Sequence, residues 1–314
     1  MISFRQHVFT IAAIFIAIGL GIVFGNTFVQ PSLVRNLRDR TDSLAGALAE
    51  RNARVTQLED QLGQFQAVGN ILPVLDTGGL AGKQMVIVTD DGVDPAVLAE
   101  ARDALGEANA DLAAVFSVTG RLAAPDPATQ GSLANILQVP EGTTLADLEQ
   151  RAAVELAGRL AVGLPRPVAG ASPQDVLDEL LKAGFLAFPS GFPKISVGAL
   201  PDLGGQGVIV VTVAGGRGDP IVPPEDFMVP FVNELERRGA SVAAGESSTT
   251  DYPFVGLLRA SSSGTSGSGM VTVDDLDFSV GGAALVLGLE RMLLTGQGGD
   301  YGIKAGATSA IPAR

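Results

Sequence analysis

The sequence contains no cysteine and no tryptophan, and its only histidine is His7. Without cysteine there is no disulfide, no thiolate metal ligand and no cysteine nucleophile. With one histidine, a Ser-His-Asp triad, an HExxH zinc site and a multi-histidine metal centre are excluded as well. Imidazole acid–base catalysis is thus absent from everything beyond the N-terminus, and we predict that the chain is not an enzyme.

Positive charge is also scarce, because 21 Lys and Arg residues face 34 Asp and Glu residues, which gives a net charge of −13. A chain this acidic is a poor binder of phosphate backbones, so we predict no nucleic-acid partner. The 314 residues are 46% hydrophobic, which is too apolar for a disordered chain. This length fits one large domain or two smaller ones, and the sequence leaves that choice open.

Charge is missing altogether from Val8 to Val29. A bilayer core of about 30 Å needs roughly 20 such residues in a helix, so we predict a short tail at 1–7 and a transmembrane helix at 8–29. A cleaved signal peptide is the alternative, but its apolar stretch would be about 7–15 residues long and an A-x-A-like site should follow. The flanking charges do not decide the orientation, because large domains cross membranes largely regardless of nearby charge.

Small residues recur at every fourth position of this segment and would form one ridge on a helix. They are Ala13, Ala17, Gly21 and Gly25. Such ridges let two helix backbones approach closely in lipid. Glycine and alanine are, however, common in membrane helices for other reasons.

An apolar heptad pattern follows over 33–68 and predicts a parallel coiled coil. Its seam includes Leu37, Leu44, Leu48, Val55, Leu58 and Leu62. The ridge and the seam both favour a parallel homodimer. The alternative is a single amphipathic helix that packs on its own domain.

Beyond residue 68, short apolar runs alternate with helical stretches. Strands are predicted at 84–89, 111–118, 207–213 and 240–244, and helices at 95–106, 144–162, from 172, at 225–238 and at 280–295. This alternation predicts an α/β domain at 69–302, with a mostly parallel sheet and helices on both faces. The tail at 303–314 is predicted to be flexible.

Two groups of acidic residues lie next to predicted strand or helix ends, where open α/β sheets bind ligands. The first group is Asp90, Asp91 and Asp94, and the second is Asp274, Asp275 and Asp277. Carboxylates are the ligands that Mg²⁺ and Ca²⁺ prefer, so both groups are candidate metal sites. The alternative for both is ordinary turn and helix-cap chemistry.

A glycine-rich loop follows the predicted strand at 207–213, and it contains Gly215, Gly216, Arg217 and Gly218. Loops of this kind bind phosphate when a helix begins directly after them. Here the pattern matches neither the P-loop nor the complete G-x-G-x-x-G motif, and three prolines at 220–224 favour a rigid loop. We therefore predict no cofactor.

The order of these features along the chain resembles that of a known protein family. MISFRQH at 1–7 runs directly into the membrane segment, and the glycine-rich stretch 19–25 leads to the coiled coil. TVDDLD at 272–277 precedes a leucine-rich helix and Gly-Asp-Tyr-Gly at 299–302. From end to end the sequence resembles the actinobacterial MctB family, described as mycobacterial copper transport proteins.

The resemblance implies a single-pass protein of the cell membrane whose large domain lies outside the cytoplasm. It also implies a role in copper transport or copper homeostasis. Some similar corynebacterial proteins look like partners of a cell-division membrane protein that restrains cell-wall hydrolysis. That likeness implies a second hypothesis, a non-catalytic scaffold or regulator that acts through an envelope partner.

The residues fit a copper site poorly. Cu(I) prefers thiolate and thioether ligands, and Cu(II) prefers imidazole. The methionines beyond Met1 are scattered, and none forms an M-x-x-M motif; they are Met85, Met228, Met270 and Met292. One membrane helix per chain cannot enclose a pore without oligomerising. Both hypotheses therefore stay open, and we expect no copper site of a known type.

Overall fold

The structure is a computed structural model of the chain. It describes residues 4–28, 78–164, 174–195, 197–205, 207–216, 218–262 and 269–312, with six single positions at 40, 44, 46, 48, 51 and 52. The chain forms two compact units, Met1–Phe65 and Gln66–Arg314.

The first unit contains one long apolar helix, α1 (Phe4–Phe28). Its stretch Gln6–Gly25 is long and apolar enough to cross a membrane, and none of it is buried. This finding supports single-pass anchoring. The helix begins at Phe4, so His7 lies within it rather than in a separate tail. Of the predicted coiled coil only the six single positions are described, all of them helical, so the stalk stays a prediction.

The second unit alternates strands and helices. Its strands are β1 (Gln84–Thr89), β2 (Asp111–Val118), β3 (Leu186–Ala187), β4 (Ile209–Val213), β5 (Ser241–Gly245), β6 (Met270–Val273) and β7 (Gly299–Tyr301). Its helices are α2 (Pro95–Glu107), α3 (Pro127–Leu137), α4 (Leu145–Val162), α5 (Val176–Lys182), α6 (Met228–Arg237), α7 (Phe254–Ser262) and α8 (Ser279–Thr295), and a 3₁₀ helix spans Val197–Asp202. The predicted α/β class is confirmed.

All seven strands form one sheet in the order β3-β2-β1-β4-β5-β6-β7. Every neighbouring pair is parallel except β2 and β3, which are antiparallel. From β1 the chain first adds strands on one side and then, from β4, on the other. The sheet is therefore doubly wound, and its order reverses between β1 and β4.

Both faces of the sheet are covered, as the continuous apolar strands predict. Successive side chains of a strand point to opposite faces. Val86 and Val88 pack into a core shared with α3 to α7. Met85 and Ile87 pack into a second core shared with α2 and α8. The two hydrophobic cores hold the parallel strands between them.

Side-chain caps fix several helix starts. Asp94 accepts a hydrogen bond from the amide of Ala96 at 2.9 Å, which confirms the predicted start of α2. Thr144 accepts from the amide of Asp147 at 3.2 Å and caps α4. The predicted helix start at residue 172 lies outside the described residues, and Asp175 caps α5 through the amide of Leu177 at 3.1 Å.

The C-terminal segment, expected to be flexible, makes defined backbone contacts up to residue 309. The amide of Gly302 donates to the carbonyl of Ser309 at 3.0 Å, and the amide of Thr308 donates to the carbonyl of Asp300 at 2.8 Å. Ile311 packs against the second hydrophobic core, to which α2 and α8 contribute. The segment is thus an integral part of the sheet edge at β7.

We predict that Gly281→Ala destabilises the second unit. A Cβ on Gly281 would lie 2.2 Å from the carbonyl oxygen of Asp275, so backbone must move. Overpacking of this kind costs about 1–3 kcal/mol. Gly131→Ala is the matched control, because Gly131 is also helical and has nothing within 4 Å of its Cβ position.

Urea unfolding of the full chain in detergent, followed by circular dichroism, measures both variants. The control should gain up to about 1 kcal/mol in free energy of unfolding from its better helix propensity. Equal effects of the two substitutions would contradict the close contact at α8.

Candidate functional site

The carboxyl ends of β1 and β4 meet where the strand order reverses. In doubly wound sheets, ligands bind in the crevice at this point. Two of the predicted candidate segments, the acids after β1 and the glycines after β4, are brought together here. A hydrogen bond between Asp90 and Gly215 joins the two segments, although these residues are 125 positions apart in the sequence.

Asp90 lies at the centre of this meeting point and is only 4% exposed. Its Oδ2 accepts hydrogen bonds from the amide of Gly215 at 3.2 Å and from the hydroxyl of Tyr252 at 3.0 Å. Its Oδ1 is buried without a hydrogen-bond partner among the described residues. Burial raises the pKa of Asp90 to about 6, against the lowering effect of the hydrogen bonds from Gly215 and Tyr252.

The loops after β1 and β4 touch directly. A Cβ on Gly216 would lie 2.5 Å from the carbonyl oxygen of Gly92, so this approach requires glycine. The amide of Gly218 donates to Oδ2 of Asp251 at 2.7 Å. Two amides of the predicted phosphate loop, those of Gly215 and Gly218, thus already bind carboxylates of the same chain. Arg217 lies outside the described residues.

The other acids of this segment have separate structural partners. Oδ2 of Asp91 accepts from the amide of Gly120 at 2.7 Å, at the end of β2. Asp94 caps α2, as described above. Asp90, Asp91 and Asp94 therefore face three different elements rather than one common point. Among the residues that the structure describes, no group of three or more histidine, aspartate or glutamate side chains is placed to hold a metal ion.

A second cluster lies at the carboxyl end of β6, around Asp274. This side chain is fully buried and pairs with the guanidinium of Arg259. Its Oδ1 also accepts from the amides of Ile303 at 2.7 Å and Lys304 at 3.0 Å. The Arg259 guanidinium bonds in addition to the hydroxyl of Thr272 at 2.9 Å. The cluster joins α7, β6 and the C-terminal segment.

Glu246 follows β5 and is fully buried. Its carboxylate accepts from Nζ of Lys304 at 2.8 Å and from the amide of Val255 at 2.8 Å. Burial raises the pKa of Glu246 above its ordinary value, with the Lys304 ammonium acting in the opposite direction. Asp277, the last acid of the second candidate group, accepts from the amide and the hydroxyl of Ser248, both at 2.6 Å.

Asp275 differs from its neighbours because both of its carboxylate oxygens are buried without a hydrogen-bond partner among the described residues. Burial, followed by the like charges of Asp274 and Asp277, raises its pKa to about 7. The second candidate group therefore divides into two acids with partners and one without.

Four residues of these clusters were not predicted from the sequence: Tyr252, Glu246, Arg259 and Lys304. Glu246 had a usable signal, because it lies two residues after the strand predicted at 240–244. The other three lie in loops or helices and reach their partners across long stretches of sequence.

Comparison with known proteins decides the family. The sequence matches the family described as "Copper transport outer membrane protein, MctB" over residues 1–312. The chain belongs to the MctB family. The curated relatives named Copper transporter MctB from Mycobacterium tuberculosis and Mycobacterium bovis are each 27% identical to it over 332 residues, and these alignments cover 98% of both proteins. The Mycobacterium leprae protein of the same name is 27% identical over 321 residues, with the same coverage.

This MctB-family chain contains few of the side chains that usually bind copper. All four methionines that the structure describes are buried in the two hydrophobic cores: Met85, Met228, Met270 and Met292. Their thioethers pack against apolar side chains. His7, the single imidazole, lies on α1.

The predicted dimer contacts lie in the first unit. Ala13, Ala17, Gly21 and Gly25 are on α1 and exposed, and Leu44 and Leu48 are helical and exposed. Leu37, Val55, Leu58 and Leu62 lie outside the described residues. Self-association of this MctB-family chain therefore stays a prediction.

We predict that Asp90→Asn removes part of the pH dependence of folding. The raised pKa of Asp90 means that the folded state binds a proton between about pH 4 and pH 6 that the unfolded state releases. Protonation of Asp90 therefore stabilises the folded state by about 3 kcal/mol relative to high pH. This stabilisation is fully present below pH 4 and is lost as the pH rises through 6. The asparagine oxygen can still accept from Gly215 and Tyr252.

Urea unfolding of wild type and variant between pH 4 and pH 7 measures this effect. The difference between their free energies of unfolding should change with pH across that window. Tyr252→Phe, which removes a hydrogen bond to the ionised form, should extend the pH dependence upward. Parallel curves for wild type and Asp90→Asn would contradict the assignment.

We also predict that Arg259→Met destabilises the domain by about 3–5 kcal/mol, because it leaves the Asp274 charge buried without its cation. Arg151→Met is the matched control, since Arg151 pairs with Glu155 at 2.6 Å on the half-exposed face of α4. Exposed pairs contribute about 0.2–1 kcal/mol. Similar losses in both variants, measured by denaturant midpoints, would show that the buried pair is not special.

Proposed function

We propose that this chain is a membrane-anchored envelope protein that acts in copper homeostasis as a non-catalytic binding or regulatory protein. In this proposal α1 spans the cytoplasmic membrane and the α/β domain lies outside it. The full-length match to proteins named Copper transporter MctB supports the copper role. The domain influences copper through a partner rather than by carrying the ion.

The small number of side chains able to bind copper supports the mechanistic part of this proposal. The chain has no cysteine and one histidine, and its described methionines are in the cores. Copper ions prefer sulfur and imidazole ligands. A protein that carried copper itself would need several of these groups at one point. Within the described residues no group of three or more histidine, cysteine, aspartate or glutamate side chains is placed to hold a metal ion.

The membrane part of the chain supports the same reasoning. Among the described helices, only α1 is long and apolar enough to span a bilayer. A single helix encloses no pathway for an ion. In the proposed arrangement, the ridge on α1 and the heptads at 33–68 join two chains in parallel. The dimer presents two α/β domains to a partner in the envelope.

A second candidate function uses the same architecture. The domain would then act on a cell-division or cell-wall protein, and copper would be affected only indirectly or not at all. Both functions need an anchored, non-catalytic domain with an interaction surface. They differ in the cellular process that fails when the chain is missing.

We predict that deletion of the gene in the source organism raises sensitivity to copper salts, and that the wild-type chain restores resistance. The variant His7→Ala should restore it equally, because the proposal gives His7 no role as a copper ligand. Growth at graded copper concentrations measures both. A division or cell-wall defect without any copper phenotype would favour the second function.

The purified full chain in detergent provides the biochemical counterpart. Titration with Cu(I) against a chromogenic chelator should show no stoichiometric, tight binding. Tight binding would overturn the proposed mechanism, and loss of that binding in His7→Ala would assign the site to α1. Crosslinking in cells would identify the partner on which the proposal depends.

A further inference from the structure

The side chain of Asp275 is fully buried in the connection between β6 and α8. Neither carboxylate oxygen has a hydrogen-bond partner among the described residues. The side chain lies against the first turn of α8, because its Oδ1 is 2.9 Å from the position that a Cβ would take on Gly281. A buried carboxylate without donors is costly, so this group requires neutralisation.

The cations of this region are committed to other acceptors. The Arg259 guanidinium pairs with Asp274 and donates to the carbonyl of Tyr301 at 2.8 Å. Nζ of Lys304 bonds to Glu246 and to the carbonyl of Ser247, at 2.8 and 2.6 Å. Each of these positive charges is thus balanced by a buried carboxylate. The Arg259 charge still acts to lower the pKa of Asp275, but burial and the two neighbouring acids act more strongly in the opposite direction.

The remaining charged groups around this connection are acidic. Asp274 and Asp277 flank Asp275 on its own segment and disfavour its charged form. The carbonyl of Glu246, at the end of β5, accepts from the amide of Leu276 at 3.0 Å. On α2, Oε1 of Glu100 lies 3.2 Å from the Cβ position of Gly282, so it faces the first turn of α8. Burial and the charges of Asp274 and Asp277 together outweigh the Arg259 charge, which favours ionised Asp275.

Several backbone amides of this connection donate to carbonyl oxygens instead of to Asp275. The amides of Gly281 and Gly282 both donate to the carbonyl of Phe278, at 2.8 and 3.2 Å. The amide of Phe278 donates to the carbonyl of Asp275 at 3.0 Å. The first turn of α8 has no side-chain cap. Because Asp275 is fully buried, water reaches its carboxylate when the surrounding packing opens.

We propose that residues 274–282 form a proton-dependent latch, in which neutral Asp275 keeps the first turn of α8 packed and ionised Asp275 releases it. The packing is tight at this point, since Gly281 lies against the Asp275 backbone and Leu276 lies against Gly245. Release would therefore loosen the contact between α8 and the carboxyl edge of β5 and β6. The raised pKa of Asp275, about 7, places the transition near neutral pH. The domain is latched in mild acid and released above neutrality.

Hydrogen exchange of the full chain in detergent, between pH 5 and pH 8, tests the latch. After correction for intrinsic exchange rates, the opening equilibrium of the first turn of α8 should rise roughly fifty-fold between pH 5 and pH 7 and then level off. The isosteric variant Asp275→Asn should remove this dependence. Asp90→Asn is the matched control, because it changes a buried acid at the same sheet edge and should leave the dependence at α8 intact.

A second variant keeps the proposal testable if Asp275→Asn does not fold. Asp277→Asn removes one flanking negative charge, so Asp275 should ionise more easily and the opening should level off at a lower pH. Opening in the wild type that does not change with pH would overturn the latch, as would an unchanged dependence in folded Asp275→Asn. Protection at pH 8 that EDTA removes, and that added Mg²⁺ or Ca²⁺ restores, would overturn it in favour of a cation site.

Discussion

Buried carboxylates at the carboxyl edge of the sheet must be neutralised within the fold, and the rest of the edge is arranged around this constraint. Acids follow β1, β5 and β6, at Asp90, Glu246 and Asp274. An isolated ionised carboxylate in a protein interior costs many kcal/mol, so each one needs a cation, several donors or a proton. Asp274 and Glu246 take cations and Asp90 takes two donors, whereas both oxygens of Asp275 are buried without a hydrogen-bond partner among the described residues.

The constraint explains why the C-terminal segment is part of the domain. Lys304 supplies the cation for Glu246, and its amide, with that of Ile303, satisfies Asp274. If the segment detached, two carboxylates would remain buried without enough partners. The segment is therefore held by charge as well as by the packing of Ile311. A prediction of flexibility from terminal position alone misses this, because the partners lie far away in the sequence.

Features that depend on neighbouring residues could be predicted from the sequence, whereas contacts between residues far apart in the sequence could not. The strands β1 and β2 and the cap at Asp94 follow from local signals, namely apolar runs and the residue types that end them. β6 and β7 have only four and three residues, too few for a periodic pattern. At the candidate site, strand ends point to Asp90 and Gly215. The contact of Asp90 with Tyr252 spans 162 residues, and no local pattern contains it.

The charge at the sheet edge also bears on what this doubly wound fold can bind. Sheets of this type often bind phosphates at the switch point, where loop amides are free to donate. In this chain the amides of Gly215 and Gly218 already donate to Asp90 and Asp251. A phosphate would have to displace two carboxylates and then lie beside them, at a Coulombic cost. The described part of this edge therefore presents carboxylates, and the amides of Gly215 and Gly218 are occupied by them, at the point where related topologies bind phosphate.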